Sequence, residues 1–107
     1  MAESATLARP YAEAVFSLAK ETGKLDMWSD NLALLTSVVS DPTMVAVIAN
    51  PQLAKTTLIR LLHDICCDEQ TSQESRNLIK LLVENRRLQV VPQVAIQYEQ
   101  LKAQHQG

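Results

Sequence analysis

Glycine is almost absent from this chain, which has two in 107 residues, Gly23 and the C-terminal Gly107. Tight β-hairpin turns and phosphate-binding loops need glycines, because their backbone adopts positive φ or passes close to a ligand. Glycine-rich phosphate loops are therefore excluded, and a hairpin-rich β fold is disfavoured. Leu, Ala, Gln, Glu and Lys, which favour helices, are plentiful. The sequence predicts an all-α fold, a compact six-helix bundle that forms a single domain over residues 1–107.

Apolar periodicity and helix-ending residues divide the chain into six predicted helices. They are expected at about residues 6–22, 25–39, 43–48, 51–67, 72–85 and 88–103. The remaining polar residues, 104–107, are expected to fray. Because the connections are short, neighbouring helices are expected to pack antiparallel.

Capping signals fix the expected helix starts. Thr6 is expected to cap the first helix, with Pro10 near its first turn. Asp41-Pro42 and Asn50-Pro51 both have the pattern of an N-cap followed by a proline at the first helical position. Thr71–Glu74 fits a capping box for the fifth helix.

Charge and composition exclude several function classes. Ten Lys and Arg against twelve Asp and Glu give a net charge of −2, so no basic face for nucleic acid is expected. No apolar run approaches the ~18 residues of a membrane-spanning helix, and the first residues lack a secretory signal. The adjacent Cys66 and Cys67 are poorly placed for an ordinary disulfide, which indicates a reducing compartment such as bacterial cytoplasm.

Two of the predicted helices are more apolar than a core-facing stripe requires, with apolar arcs of about 200°. In the first helix the arc consists of Leu7, Ala8, Tyr11, Ala12, Ala14, Val15, Phe16, Leu18 and Ala19. In the fifth it consists of Leu78, Ile79, Leu81, Leu82 and Val83. Each helix is either central in its own domain or turns part of its arc outward as a groove for a partner helix. In the second case, the small residues Ala8, Ala12 and Ala14 would let a partner backbone approach closely.

The chemistry-bearing residues are sparse. His63, Cys66 and Cys67 share one helical face, which amounts to half of a zinc site, but no second cluster of His or Cys completes it. A Cys–His nucleophile pair also needs an orienting group and an oxyanion site, and nothing in the sequence marks either. The sequence therefore predicts no catalytic residues, no bound metal and no cofactor, with a small enzyme or metal sensor as a minor alternative.

Three stretches together resemble a known family. They are Ala8–Phe16, Asn50-Pro51 and Asn77–Leu88, the last followed by Val91-Pro92 and an aromatic residue at Tyr98. In order and spacing they are similar to the N-terminal domain of the δ subunit of bacterial F-type ATP synthase. The mitochondrial counterpart is the oligomycin-sensitivity-conferring protein. The resemblance covers essentially the whole chain.

The resemblance implies a non-catalytic structural role. Such a domain is a six-helix bundle that sits on the catalytic head and holds the amphipathic N-terminal helix of an α subunit in a groove between its first and fifth helices. A separate C-terminal domain joins the b subunits of the peripheral stalk, which stops the head from turning with the proton-driven rotor. The expected location is peripheral, at the cytoplasmic face of the bacterial inner membrane, without direct insertion.

Mapped onto this chain, the resemblance gives an expected partner-helix groove. Its residues are Ala8, Tyr11, Ala12, Ala14, Val15, Leu18, Asn77, Leu78, Leu81 and Leu82. The chain departs from the family by stopping at Gly107, before any C-terminal domain, so we expect a shortened form of a longer protein. It also has Arg86 where many relatives have a small residue. The alternative is an unrelated helical adaptor that binds some other amphipathic helix.

Overall fold

A computed structural model describes residues 2–106, which form six α-helices and one short 3-10 turn, with no strand in that range. The helices are α1 (Ala2–Thr22), α2 (Leu25–Ser40), α3 (Pro42–Ala49), α4 (Lys55–Cys66), α5 (Gln73–Glu84) and α6 (Val91–Gln106). The 3-10 turn, Leu88–Val90, precedes α6 directly. The predicted all-α class and the six helices are confirmed.

The helices form two compact units. The first contains α1, α2 as far as Thr36, and α6, and the second contains residues 37–88 with α3, α4 and α5. Among the described residues, no single helix is long and apolar enough to cross a membrane. The pair α2 and α3 reaches the required length and apolarity only when taken together, and it is bent by 78° at the break.

In the first unit, Tyr98 of α6 is the largest fully buried side chain. Its hydroxyl donates a 2.6 Å hydrogen bond to the carbonyl of Leu25, and its ring meets Phe16 of α1 edge-on at a centroid distance of 6.2 Å. Burial raises the pKa of Tyr98 to about 12, so the hydroxyl remains a donor at neutral pH. Tyr98 thereby links α6 to both other helices of its unit.

Polar contacts add to the attachment of α6. The Gln97 side chain donates to the carbonyl of Ala5 at 2.8 Å. The Lys102 ammonium lies 2.8 Å from Asp26 and 3.0 Å from the Ser29 hydroxyl, and the hydrogen bond to Asp26 raises the pKa of Lys102. The predicted helix end at about 103 is wrong, because α6 continues to Gln106; Gly107 lies outside the described residues.

In the second unit, α4 and α5 pack antiparallel. Lys55 at the start of α4 donates to the carbonyl of Glu84 at the end of α5, at 3.1 Å. His63 lies near the end of α4, and its Nε2 is 3.0 Å from the carbonyl of Arg76, near the start of α5. Helical periodicity predicts a core stripe of Leu58, Leu61, Leu62 and Ile65 in α4, and it is only half right. Leu58 and Leu62 are buried, Leu61 is half-buried, and Ile65 is 47% exposed.

The predicted helix starts are partly confirmed. Asp41 caps α3 as expected, because its carboxylate accepts from the backbone N–H groups of Thr43 and Met44. The other three predicted helix starts are wrong. α1 begins at Ala2, so Thr6 is not its cap and Pro10 lies inside it. Asn50 is the C-cap of α3, and its side-chain oxygen accepts from Gln52 N–H in an Asx turn. α4 starts only at Lys55. The cap of α5 is Ser72, one residue after the predicted Thr71.

α1 and α5 end in the same Schellman motif, but only one of them ends at a glycine. Gly23 has φ 69°, and Lys24 N–H donates to the carbonyl of Ala19 at 2.8 Å. Arg86 has φ 56°, and Arg87 N–H donates to the carbonyl of Leu82, also at 2.8 Å. A left-handed backbone costs a residue with a β-carbon roughly 1–2 kcal/mol more than glycine. Arg86 is therefore a strained position.

We predict that Arg86→Gly raises the free energy of unfolding by about 0.5–1 kcal/mol, since part of the relief is offset by the greater freedom of glycine in the unfolded chain. Gly23→Ala, the matched reverse change, is expected to lower it by about 1 kcal/mol through φ alone, because a β-carbon at Gly23 meets nothing within 4 Å. Urea unfolding measures both. A loss of stability in Arg86→Gly would contradict the assignment of strain.

Candidate helix-binding site

The apolar arc of α1 divides into a buried face and an accessible face. Ala8, Ala12 and Ala19 are 0% exposed and Val15 is 4% exposed. α1 makes its most extensive helix contact with α6, and the small side chains of these alanines suit a close approach between helices. The buried alanines thus belong to the core of the chain itself.

The accessible part of the arc is a narrow strip, called here the α1 strip. At about 100° per residue its members lie within roughly 60° of one another around the helix. Ala14 is exposed, and the three larger side chains are half-buried. The α1 strip consists of Leu7, Tyr11, Ala14 and Leu18.

The arc of α5 divides in the same way. Ser75, Ile79, Leu82 and Val83 form its buried face. Beside this face lies the α5 strip, which consists of Asn77, Leu78 and Leu81. Leu81 is 45% exposed and Leu78 is half-buried. Asn77 is exposed, and its side chain accepts a 2.9 Å hydrogen bond from Gln73, one turn earlier.

Of the ten residues expected in the groove, six are accessible and four are buried. The accessible residues are Tyr11, Ala14, Leu18, Asn77, Leu78 and Leu81. The buried residues are Ala8, Ala12, Val15 and Leu82. Leu7 is an accessible residue that the expected set did not include. Its helical position, in line with Tyr11 and Leu18, is the signal that points to it.

Exposure by itself does not single out Leu81, because other large apolar side chains are equally exposed. They are Leu34 at 44%, Val45 at 50%, Ile65 at 47% and Ile96 at 50%, each on a different helix. What sets Leu81 apart is that it lies beside half-buried Leu78 on α5, a helix that the family resemblance assigns to the groove. This distinction makes Ile65 a suitable control for Leu81.

His63, Cys66 and Cys67 do not assemble a metal site. Within residues 2–106, no group of three or more His, Cys, Asp or Glu side chains is placed to hold a metal ion. The Nε2 of His63 faces the carbonyl of Arg76, where it connects α4 to α5. Both thiols are free and half-buried. Burial raises the pKa of Cys66 to about 11 and also raises the pKa of Cys67.

We predict that these thiols react slowly in the folded chain. With its pKa near 11, the Cys66 thiolate is about a hundredfold scarcer at neutral pH than that of an ordinary cysteine. Alkylation by iodoacetamide at pH 7.5, followed by mass spectrometry, should be at least about tenfold slower in the folded chain than in urea. Equal rates would contradict the burial of the pair.

Comparisons with known proteins give a consistent result. Residues 7–107 match the family described as ATP synthase delta (OSCP) subunit. The chain is 48% identical to ATP synthase subunit delta of Nitrosomonas eutropha over 107 residues, which cover 100% of this chain and 60% of the relative. It is 47% identical to subunit delta of Hydrogenovibrio crunogenus over 103 residues, which cover 96% of this chain and 57% of the relative.

A third relative extends the same pattern. The chain is 45% identical to ATP synthase subunit delta of Nitrosospira multiformis over 107 residues, again covering 100% of this chain and 60% of the relative. The chain therefore spans about 60% of the length of the curated relatives that it matches.

Proposed function

We propose, because this chain belongs to the ATP synthase delta (OSCP) subunit family, that it is the head-binding part of a non-catalytic peripheral-stalk subunit of the F-type enzyme. Its partner is the amphipathic N-terminal helix of an α subunit, at the top of the catalytic head. The subunit holds the head still against the rotor and needs no cofactor.

The observation that carries this proposal is the pair of accessible apolar strips on α1 and α5, the two helices that the family resemblance assigns to the groove. The α1 strip runs from Leu7 to Leu18, about 16 Å or three helical turns. The α5 strip adds the exposed Leu81 and the half-buried Leu78. An amphipathic helix with apolar residues at i, i+3, i+4 and i+7 has the matching pattern.

The strips can support strong binding. Each fully buried Leu or Ile of the partner contributes about 1.5–3 kcal/mol before ordering costs are subtracted. Four or five such side chains reach about −12 kcal/mol, which is nanomolar affinity, provided that the surface is preformed. A stator is loaded repeatedly by torque, so slow dissociation is the property that the site requires.

The other proposed partners concern the part of the relatives that this chain does not match. In our proposal the b subunits of the peripheral stalk bind the region that the relatives have beyond the matched 60%. The protein is then a peripheral component of a membrane-associated enzyme, at the cytoplasmic face of the bacterial inner membrane.

The proposal is tested by titrating the isotope-labelled chain with a synthetic peptide of the α-subunit N-terminus. One-to-one binding is expected, with amide shifts concentrated on α1 and α5. A peptide of scrambled sequence is the control and should leave the spectrum unchanged. Absence of binding by a folded chain would refute the specific proposal and favour a helical adaptor for another partner.

A further inference from the structure

Acidic residues border the α1 strip at both of its ends. At about 100° per residue, Glu3 and Glu21 lie within roughly 20° of Ala14 around the helix. Both glutamates are exposed, and they are about 27 Å apart along α1. The border of the strip therefore carries one negative charge near each end.

The basic residues of α1 lie farther around the helix. Arg9 is directed about 140° away from Ala14, and its guanidinium is 4.0 Å from Glu13. Lys20 is about 120° away, with its ammonium 5.4 Å from the centre of the Phe16 ring. Neither cation offsets the charge of Glu3 and Glu21 beside the strip.

α5 shows the same arrangement independently. Glu74 is exposed and lies between Leu78 and Leu81 in its direction around the helix. The cations of α5 point elsewhere: Arg76 donates to the carbonyl of Asp68, and Lys80 lies about 100° from Leu81. We call Glu3 and Glu21, which lie on the same helix, the acidic rim.

We propose that the acidic rim selects a partner helix whose apolar stripe is bordered by Lys or Arg. This inference rests on the proposed function and adds the charge of the partner to it. Opposite charges beside an apolar contact steer the encounter and fix the register, and like charges reject other amphipathic helices. The partner chemistry is thus a basic amphipathic helix.

The test uses two synthetic 18-residue amphipathic helices that have the same Leu and Ala face, one bordered by Lys and the other by Glu. At about 50 mM salt we expect the Lys peptide to bind about tenfold more tightly, because exposed ion pairs contribute modestly and like charges oppose binding. The preference should shrink at about 0.5 M salt, where screening shortens the range of the charges.

Charge reversal supplies the second readout. Glu3→Lys with Glu21→Lys should invert the preference between the two peptides. Asp64→Lys with Glu69→Lys changes the net charge equally at exposed positions on other segments, and should leave the preference unchanged. If the preference between the two peptides inverts in both double variants, net charge alone explains the effect, and the proposed role of the acidic rim is refuted.

The α-subunit peptide, titrated in parallel, separates the two proposals. If it binds while the Lys and Glu peptides bind equally well, the acidic rim is refuted and the proposed function stands. If none of the three peptides binds the folded chain, both proposals fail.

Discussion

Replacing Tyr98 with Ala is expected to lower the free energy of unfolding by about 4 kcal/mol, within the range of 3–5 kcal/mol for truncating a large buried aromatic. Tyr98 is 0% exposed, and its hydroxyl donates to the carbonyl of Leu25. Its ring also packs edge-on against Phe16. Truncation therefore leaves a cavity where α6 meets α1 and α2, and removes a buried hydrogen bond.

Two control variants separate the contributions of the hydroxyl and of burial to this loss of stability. Tyr98→Phe keeps the ring and removes the hydroxyl, so it should cost about 1–2 kcal/mol. Tyr11→Ala removes the same side chain from a half-buried position on the α1 strip, and should cost less than half of the Tyr98→Ala effect. Urea unfolding followed by circular dichroism measures all three. Equal losses at positions 98 and 11 would contradict the assignment of Tyr98 to the core.

Leu81→Asp is expected to weaken binding of the α-subunit peptide by about 10- to 100-fold. The substitution removes one apolar contact worth about 1.5–3 kcal/mol and places a charge in the α5 strip. Since Leu81 is 45% exposed in the free chain, the fold should tolerate the change.

Ile65→Asp is the matched control. Ile65 is 47% exposed on α4, so the control introduces the same charge at an equally accessible apolar position outside the proposed site. Its affinity for the peptide should stay within about twofold of the unmodified chain. Calorimetric titration of both variants decides the matter: equal weakening by the two would show that charge, rather than the α5 strip, governs binding.

Local signals in the sequence predict the structure correctly where a single interaction decides the local conformation. In α2, helical periodicity predicts one apolar stripe of Leu25, Trp28, Leu32, Leu35 and Val39; the last four are buried and Leu25 is half-buried. A single apolar face has only one way to reach a core. The cap at Asp41 is confirmed for a similar reason, since its carboxylate has the N–H groups of the next helix within reach.

The same kind of signal failed at Asn50, where a proline also follows. An Asn side chain can satisfy the backbone of a turn as well as that of a helix start, and here it accepts from Gln52 N–H in a turn. α4 then begins after Ala54, which provides no side-chain cap. Nothing in the local residues distinguishes these two outcomes.

The sequence predicts which helices carry wide apolar arcs, but not which residues of each arc stay accessible. Periodicity gives the width of the arc on α1, whereas packing against distant residues decides which part of it is buried. Gln97, 92 residues along the chain, bonds to Ala5, and Tyr98 meets Phe16. These contacts place α6 on the alanine side of the arc and leave Tyr11 and Leu18 accessible.

The most direct test of the central proposal measures binding of this chain to an isolated catalytic head that lacks its own delta subunit. We predict tight binding of one chain per head, and its loss after proteolytic removal of the α-subunit N-terminal helices. Size-exclusion chromatography with quantified bands would report the stoichiometry before and after that treatment. A folded chain that fails to bind the intact head, or that binds the trimmed head equally well, would contradict the proposed function.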